Sequence, residues 1–81
     1  MKLSRDESGA SLVKKFAALG YVVTRQKGSH IRLTKKSDDK EHNITIPNHD
    51  PIKVGLLSKI LNDVAQHLDI TKEELMKSLY E

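Results

Sequence analysis

Among its 81 residues the chain has no cysteine, which excludes a disulfide framework and any thiolate metal site. It has no apolar run approaching the ~20 residues of a membrane-spanning helix, and no apolar signal-peptide stretch follows Met1. These absences fit a cytoplasmic protein with no membrane partner. Aromatic residues are scarce: Phe16, Tyr21 and Tyr80 are too few and too scattered to make a base-stacking platform. Acids are missing where cations gather. Residues 8–37 hold no Asp or Glu, yet carry Lys14, Lys15, Arg25, Lys27, Arg32, Lys35 and Lys36. The acids lie at Asp6-Glu7, at Asp38, Asp39 and Glu41, and in the last third. A charge run alone is commonly just a solvated face. One this long, spanning a turn and a strand, points to a polyanionic partner.

What is present makes one small domain over residues 1–81. A hydrophobic fraction of 37% is enough for a single modest core. Ser4-Arg5-Asp6-Glu7 has the form of a capping box, and Ser8 offers a second cap. The helix that follows runs to about Leu19, with Leu12, Val13, Phe16, Ala17 and Leu19 as its apolar stripe and Gly20 as its left-handed end. Tyr21-Val22-Val23-Thr24-Arg25-Gln26 reads as a strand, Lys27-Gly28-Ser29 as a turn, and His30 to about Lys35 as a second strand. The charged stretch 36–41 reads as a loop and the most mobile part of the chain. Asn43-Ile44-Thr45-Ile46 is a third strand, closed by Pro47.

A turn with Asp50 or a neighbour as cap then leads into a helix beginning near 53–56. Its residues Leu57, Ile60, Leu61, Val64 and Leu68 form the clearest amphipathic stripe in the chain. Thr71-Lys72-Glu73-Glu74 caps a short last helix that returns Leu75, Leu79 and Tyr80 to the core. The fold class is therefore α+β, in the order α-β-β-β-α with a short C-terminal helix. Both longer helices must cover one face of an antiparallel sheet. The other face stays open, with His30, Arg32, Asn43 and Thr45 on it.

The organising stretch is Arg25-Gln26-Lys27-Gly28-Ser29-His30-Ile31-Arg32-Leu33. Gly28 gives the turn its backbone freedom. Ile31 and Leu33 alternate with His30 and Arg32, so the imidazole and the guanidinium share the exposed face. An imidazole titrates near neutrality and can take or give a proton during phosphodiester cleavage. Arg25, Lys27 and Arg32 would bind or stabilise the phosphate. Lys14, Lys15, Lys35 and Lys36 add sequence-independent attraction.

Leu19-Gly20-Tyr21, the Gly28-Ser29-His30 block, Ile46-Pro47-Asn48-His49 and Gly55-Leu56-Leu57 with Ile60-Leu61 together resemble the HicA-type toxins. These are messenger-RNA-cleaving partners in type II HicAB toxin–antitoxin pairs. The resemblance implies a fold like that of a double-stranded-RNA-binding domain and a catalytic His30. It also implies a HicB-type antitoxin as partner. The RNA-phosphate site expected around His30 takes in Arg25, Lys27, Gly28, Ser29, Arg32, Lys35 and Lys36. Leu56, where relatives often have Thr, and the acidic Asp38-Asp39 pair depart from the family pattern.

No cofactor is expected. His30, His42 and His49 match no zinc spacing, and the basic core offers no carboxylate cluster for a two-metal nuclease. A second catalytic group is open among His49, His42 and Ser29. His67, late in the long helix, reads as a dipole partner or an exposed residue. The competing reading is a non-catalytic RNA-binding module using the same basic surface.

Overall fold

A computed structural model describes residues 7–80. Ser4, Arg5 and Asp6 of the first expected capping box lie outside the described residues. Ser8 is the cap of α1 (Gly9–Ala17): its hydroxyl accepts the Ser11 amide at 3.1 Å, and the Ser11 hydroxyl accepts the Ser8 amide at 3.1 Å. Leu12 and Phe16 are buried, whereas Ala17, expected in the stripe, is exposed. Gly20 has φ +98°, the left-handed conformation expected where the chain leaves the helix.

Three strands follow, β1 (Val22–Lys27), β2 (His30–Ser37) and β3 (Lys40–Pro47), paired antiparallel in the order β1-β2-β3. Gly28 has φ +59° in a two-residue turn that leaves Lys27 paired with His30. Glycine first in such a turn is the type II′ pattern that matches strand twist. The expected loop over 36–41 is not a loop. Both strands continue through it, Lys36 opposite Glu41 and Ser37 opposite Lys40, around an Asp38-Asp39 turn. Asp38 takes φ 46°, which a short polar side chain tolerates. The stretch is polar because both faces of the ribbon are wet there, not because its backbone is unpaired.

α2 (Val54–Leu68) and α3 (Lys72–Tyr80) complete the chain. Asp50 does not cap α2; Lys53 takes that place without a side-chain bond. The reason lies in Ile52, which is fully buried and donates its amide to the Glu7 carbonyl at 2.7 Å. The chain must stay extended there to seat Ile52 before it can coil. α3 is capped as expected, with Thr71 and Glu74 exchanging amide bonds of 3.0 and 3.1 Å.

The core lies between the helices and one sheet face. Ile31, Leu33, Ile44 and Ile46 meet Leu12, Phe16, Leu57, Leu61 and Val64, with Leu75 and Met76 closing one end. Strand alternation therefore commits His30, Arg32, Thr34 and Lys36 on β2, and Glu41, Asn43 and Thr45 on β3, to the uncovered face.

Candidate active site

The site is built on the uncovered face at the Gly28 end. A cavity of about 380 Å³ is lined by Arg25, Lys27, His30, Arg32 and Thr45, one patch contributed by all three strands. Lys27 faces His30 across the turn, Arg25 faces Arg32, and Thr45 faces Arg32 from the other side. The strand ends are tied at this point. The Asn48 amide donates to the Ser29 carbonyl at 2.6 Å, so the turn before His30 is held to the end of β3.

Arg25 and Lys27 reach this face through a break in the alternation. Val23 pairs with Leu33, on the core side, but Arg25 pairs with Arg32 on the open side, and the register shifts between them. In an unbroken ladder Val23, Arg25 and Lys27 would share one face. The extra residue, Thr24, changes the parity and turns both cations toward His30, a common use of a β-bulge. Nothing in the sequence marks Thr24 as a bulge.

Of the residues expected to bind phosphate, the fold brings Arg25, Lys27 and Arg32 together with His30, and Gly28 and Ser29 form the adjoining turn. Lys36 lies further along the same face. Lys35 points the other way. Its ammonium bonds the Leu19 carbonyl and lies 5.9 Å from the Tyr21 ring centre, on the helix side. Lys15 is occupied as well, 3.1 Å from the Glu7 carboxylate.

The histidines also separate. His42 faces the helices: its Nδ1 is 2.6 Å from the Tyr21 hydroxyl, and its Nε2 lies 3.5 Å from Asp63 Oδ2. His67 stacks on it at 4.2 Å between ring centres. His42 is thus no part of the cavity, and His67 is neither a lone dipole partner nor free. Burial, then the Asp63 charge, pushes the Tyr21 hydroxyl up to about 12, so it stays protonated. Burial lowers His67, helped by the neighbouring His42, Lys40 and Lys35 and opposed by Asp63. His49 is exposed just past Asn48, and its carbonyl accepts the Gly9 amide at 2.9 Å.

Fold and site define a small α+β domain with helices on one sheet face and a cationic, histidine-bearing patch on the other. Residues 9–65 match the family model described as HicA toxin of bacterial toxin–antitoxin. The chain belongs to that family and is the toxin component of a toxin–antitoxin system, whose other component is an antitoxin. The match ends within α2, so α3 lies beyond it. Neither the curated proteins nor the solved structures searched gave a match.

Proposed function

We propose that the toxin is a metal-independent endoribonuclease that cleaves messenger RNA, with His30 as general acid or base. The observation that supports this reading is the shared cavity: one imidazole among two guanidiniums and an ammonium, on a shallow face open to a strand. RNA supplies its own nucleophile. Neutral imidazole takes the 2′-hydroxyl proton as that oxygen attacks phosphorus; imidazolium gives a proton to the departing 5′ oxygen. Arg25, Arg32 and Lys27 offset the charge that builds on the non-bridging oxygens. Among the described residues the cavity lining has no carboxylate, and no three His, Asp or Glu side chains form a group that could hold a metal. In this reading protons and fixed cations carry the chemistry.

The antitoxin in this reading is of HicB type, and an acidic surface on it covers the Arg25–Arg32 face and hides His30. Such an association weakens with salt. The messenger substrate places the toxin in the cytoplasm.

The test is cleavage of RNA in EDTA by the wild type and by His30→Ala, with both shown to be folded. Cleavage by the wild type alone is expected. Activity retained in His30→Ala would remove the histidine from the mechanism, and activity abolished by EDTA but restored by a divalent ion would reject the metal-free route. Salt-sensitive RNA binding by both proteins with no cleavage would instead define a non-catalytic module of double-stranded-RNA-binding type.

A further inference from the structure

Arg25 and Arg32 line two cavities at once. Beyond them, away from His30, the open face holds a second depression of about 280 Å³, with Thr34, Lys36, Glu41 and Asn43 in its walls. A hydrogen-bonded chain crosses all three strands there. Thr34 donates to Asn43 Oδ1 at 2.6 Å, and the Thr24 and Thr34 hydroxyls are 2.9 Å apart. Thr34 has a single proton, already directed at Asn43, so Thr24 is the donor in that pair. Asn43 Nδ2 donates to Glu41 Oε2 at 3.3 Å. The carboxylate fixes the amide, because the flipped amide would set oxygen against oxygen. Every donor in the chain therefore points toward Glu41.

Among the described residues Glu41 is the one acid lining either cavity. It stands opposite Lys36 in the register, yet among the described residues no cation lies within 4.0 Å of its carboxylate. Asn43 occupies one lone pair of Oε2, which leaves the rest of the carboxylate open as an acceptor. A carboxylate repels phosphate, so it does not serve a track for the backbone alone. It does accept N–H donors from a base edge. Among the four RNA bases only guanine presents two adjacent donors, N1–H and the 2-amino group, on its Watson–Crick edge. That pair matches a carboxylate.

We propose that this depression is a guanine subsite next to the scissile phosphate, read by Glu41 and positioned by the Thr24–Thr34–Asn43 chain. The proposal rests on the ribonuclease reading for its substrate. In it Arg25 and Arg32 hold the phosphate that links the two subsites. The chain pre-orients the acceptor, so little ordering is left for binding.

Binding separates this inference from the cleavage reading. Single-stranded oligonucleotides carrying 2′-O-methyl riboses cannot be cut by 2′-hydroxyl attack. Affinities are measured for one such oligonucleotide with guanosine and one with inosine, which lacks the 2-amino group, using wild type and Glu41→Gln. The wild type is expected to favour guanosine about tenfold, within the range of a good bidentate contact. Glu41→Gln is expected to bring that ratio close to one. Equal affinities in the wild type, or a preference that survives in Glu41→Gln, would overturn the subsite. Either result stands whether or not unmodified RNA is cleaved, and the cleavage assay decides that separately.

Discussion

Lys27 and His30 are register partners across a two-residue turn, so an ammonium and an imidazole leave the same face of the sheet side by side. Parity alone would have placed Lys27 on the core side with Val23. The bulge at Thr24 reverses that and carries Arg25 with it, so the cationic patch depends on one extra residue in an edge strand.

That arrangement sorts the lysines and arginines by what RNA would feel. Each phosphate-neutralising cation adds about 0.7 to the slope of log affinity against log salt for a single strand. Arg25→Ala, Lys27→Ala and Arg32→Ala are each expected to weaken RNA binding and to flatten the slope by about that amount. Lys35→Ala should leave the slope nearly unchanged, because its ammonium is engaged with the Leu19 carbonyl on the helix side. A salt titration of the four variants checks this. An equal loss of slope in Lys35→Ala would place the RNA elsewhere.

The proposed chemistry also fixes the product ends. Attack by the 2′-hydroxyl forms a bond from that oxygen to phosphorus and breaks the bond to the 5′ oxygen. The 5′ side of the cut then carries a 2′,3′-cyclic phosphate, and the 3′ side a free 5′-hydroxyl. Fragments should accept a 5′ phosphate from polynucleotide kinase without prior dephosphorylation. Fragments bearing 5′ phosphates would mean that water, not the ribose, was the nucleophile.

Most of the fold was legible from residue pattern, because helix periodicity and strand alternation report which face is buried. The stripe through Leu57, Ile60, Leu61 and Val64 is buried as expected, and Thr71 and Glu74 cap as their spacing implies. The open face at His30, Arg32 and Thr45 followed from the same alternation. Three features did not. Thr24 looks like any strand residue, so the bulge was invisible. The charged residues 36–41 signal exposure, which a loop and a ribbon wet on both faces share, so the pattern does not reveal that both strands run through. His42 has the same parity as Ile44, and reading it by chemistry rather than parity made it a site candidate when it faces the helices.

Gly9 opens α1 where no side chain fits. A Cβ there would come within 2.8 Å of Asn48 Cα and into the Pro47 carbonyl, both backbone atoms that cannot rotate away. Gly9→Ala is expected to cost about 1–3 kcal/mol, as overpacking does. For a domain this small that lowers Tm by roughly 4–8 °C per kcal/mol. A shift of under 2 °C by thermal denaturation would show that the chain ends near Asn48 yield. The same variant bears on the site, since the Asn48 amide holds the turn before His30.

Glu7 links α1 to α3, the element beyond the family match. Its buried carboxylate accepts bonds from Ser11, Tyr80 and Lys15. Burial works to raise its pKa, but those bonds together with the Lys15 charge outweigh it and hold the group below its ordinary 4.5. A carboxyl depressed in the folded state stabilises above the unfolded value, and that stability is lost as pH falls through the folded value. Tyr80→Phe removes one donor to a buried charge, a loss of about 1.5–3 kcal/mol. Urea denaturation at pH 7 should show that loss, and because the variant's folded value moves toward the unfolded one, the acid limb of its stability curve should fall by less than that of the wild type. An unchanged acid limb would mean that Ser11 and Lys15 suffice to hold the carboxylate.

The His42–His67 stack predicts a second pH dependence, at the end of the sheet far from His30. His67 is held below its ordinary 6.5, first by burial and then by His42, Lys40 and Lys35, with Asp63 opposing them. The groups facing the pair come from every neighbouring element: Tyr21 before β1, Lys35 on β2, Lys40 on β3 and Asp63 on α2. A base that resists protonation when folded stabilises the fold at pH above its unfolded value. That advantage shrinks as pH falls through about 6.5 and levels off below the folded value, because the unfolded chain takes up the proton more readily. Tm should therefore drop between pH 7.5 and 5.5, above the range in which Glu7 titrates. His67→Phe keeps a flat ring against His42 but carries no proton, so its Tm should vary less over that interval. If the variant loses as much as the wild type between pH 7.5 and 5.5, the dependence belongs to another histidine, and the stack is a packing contact with no proton linkage.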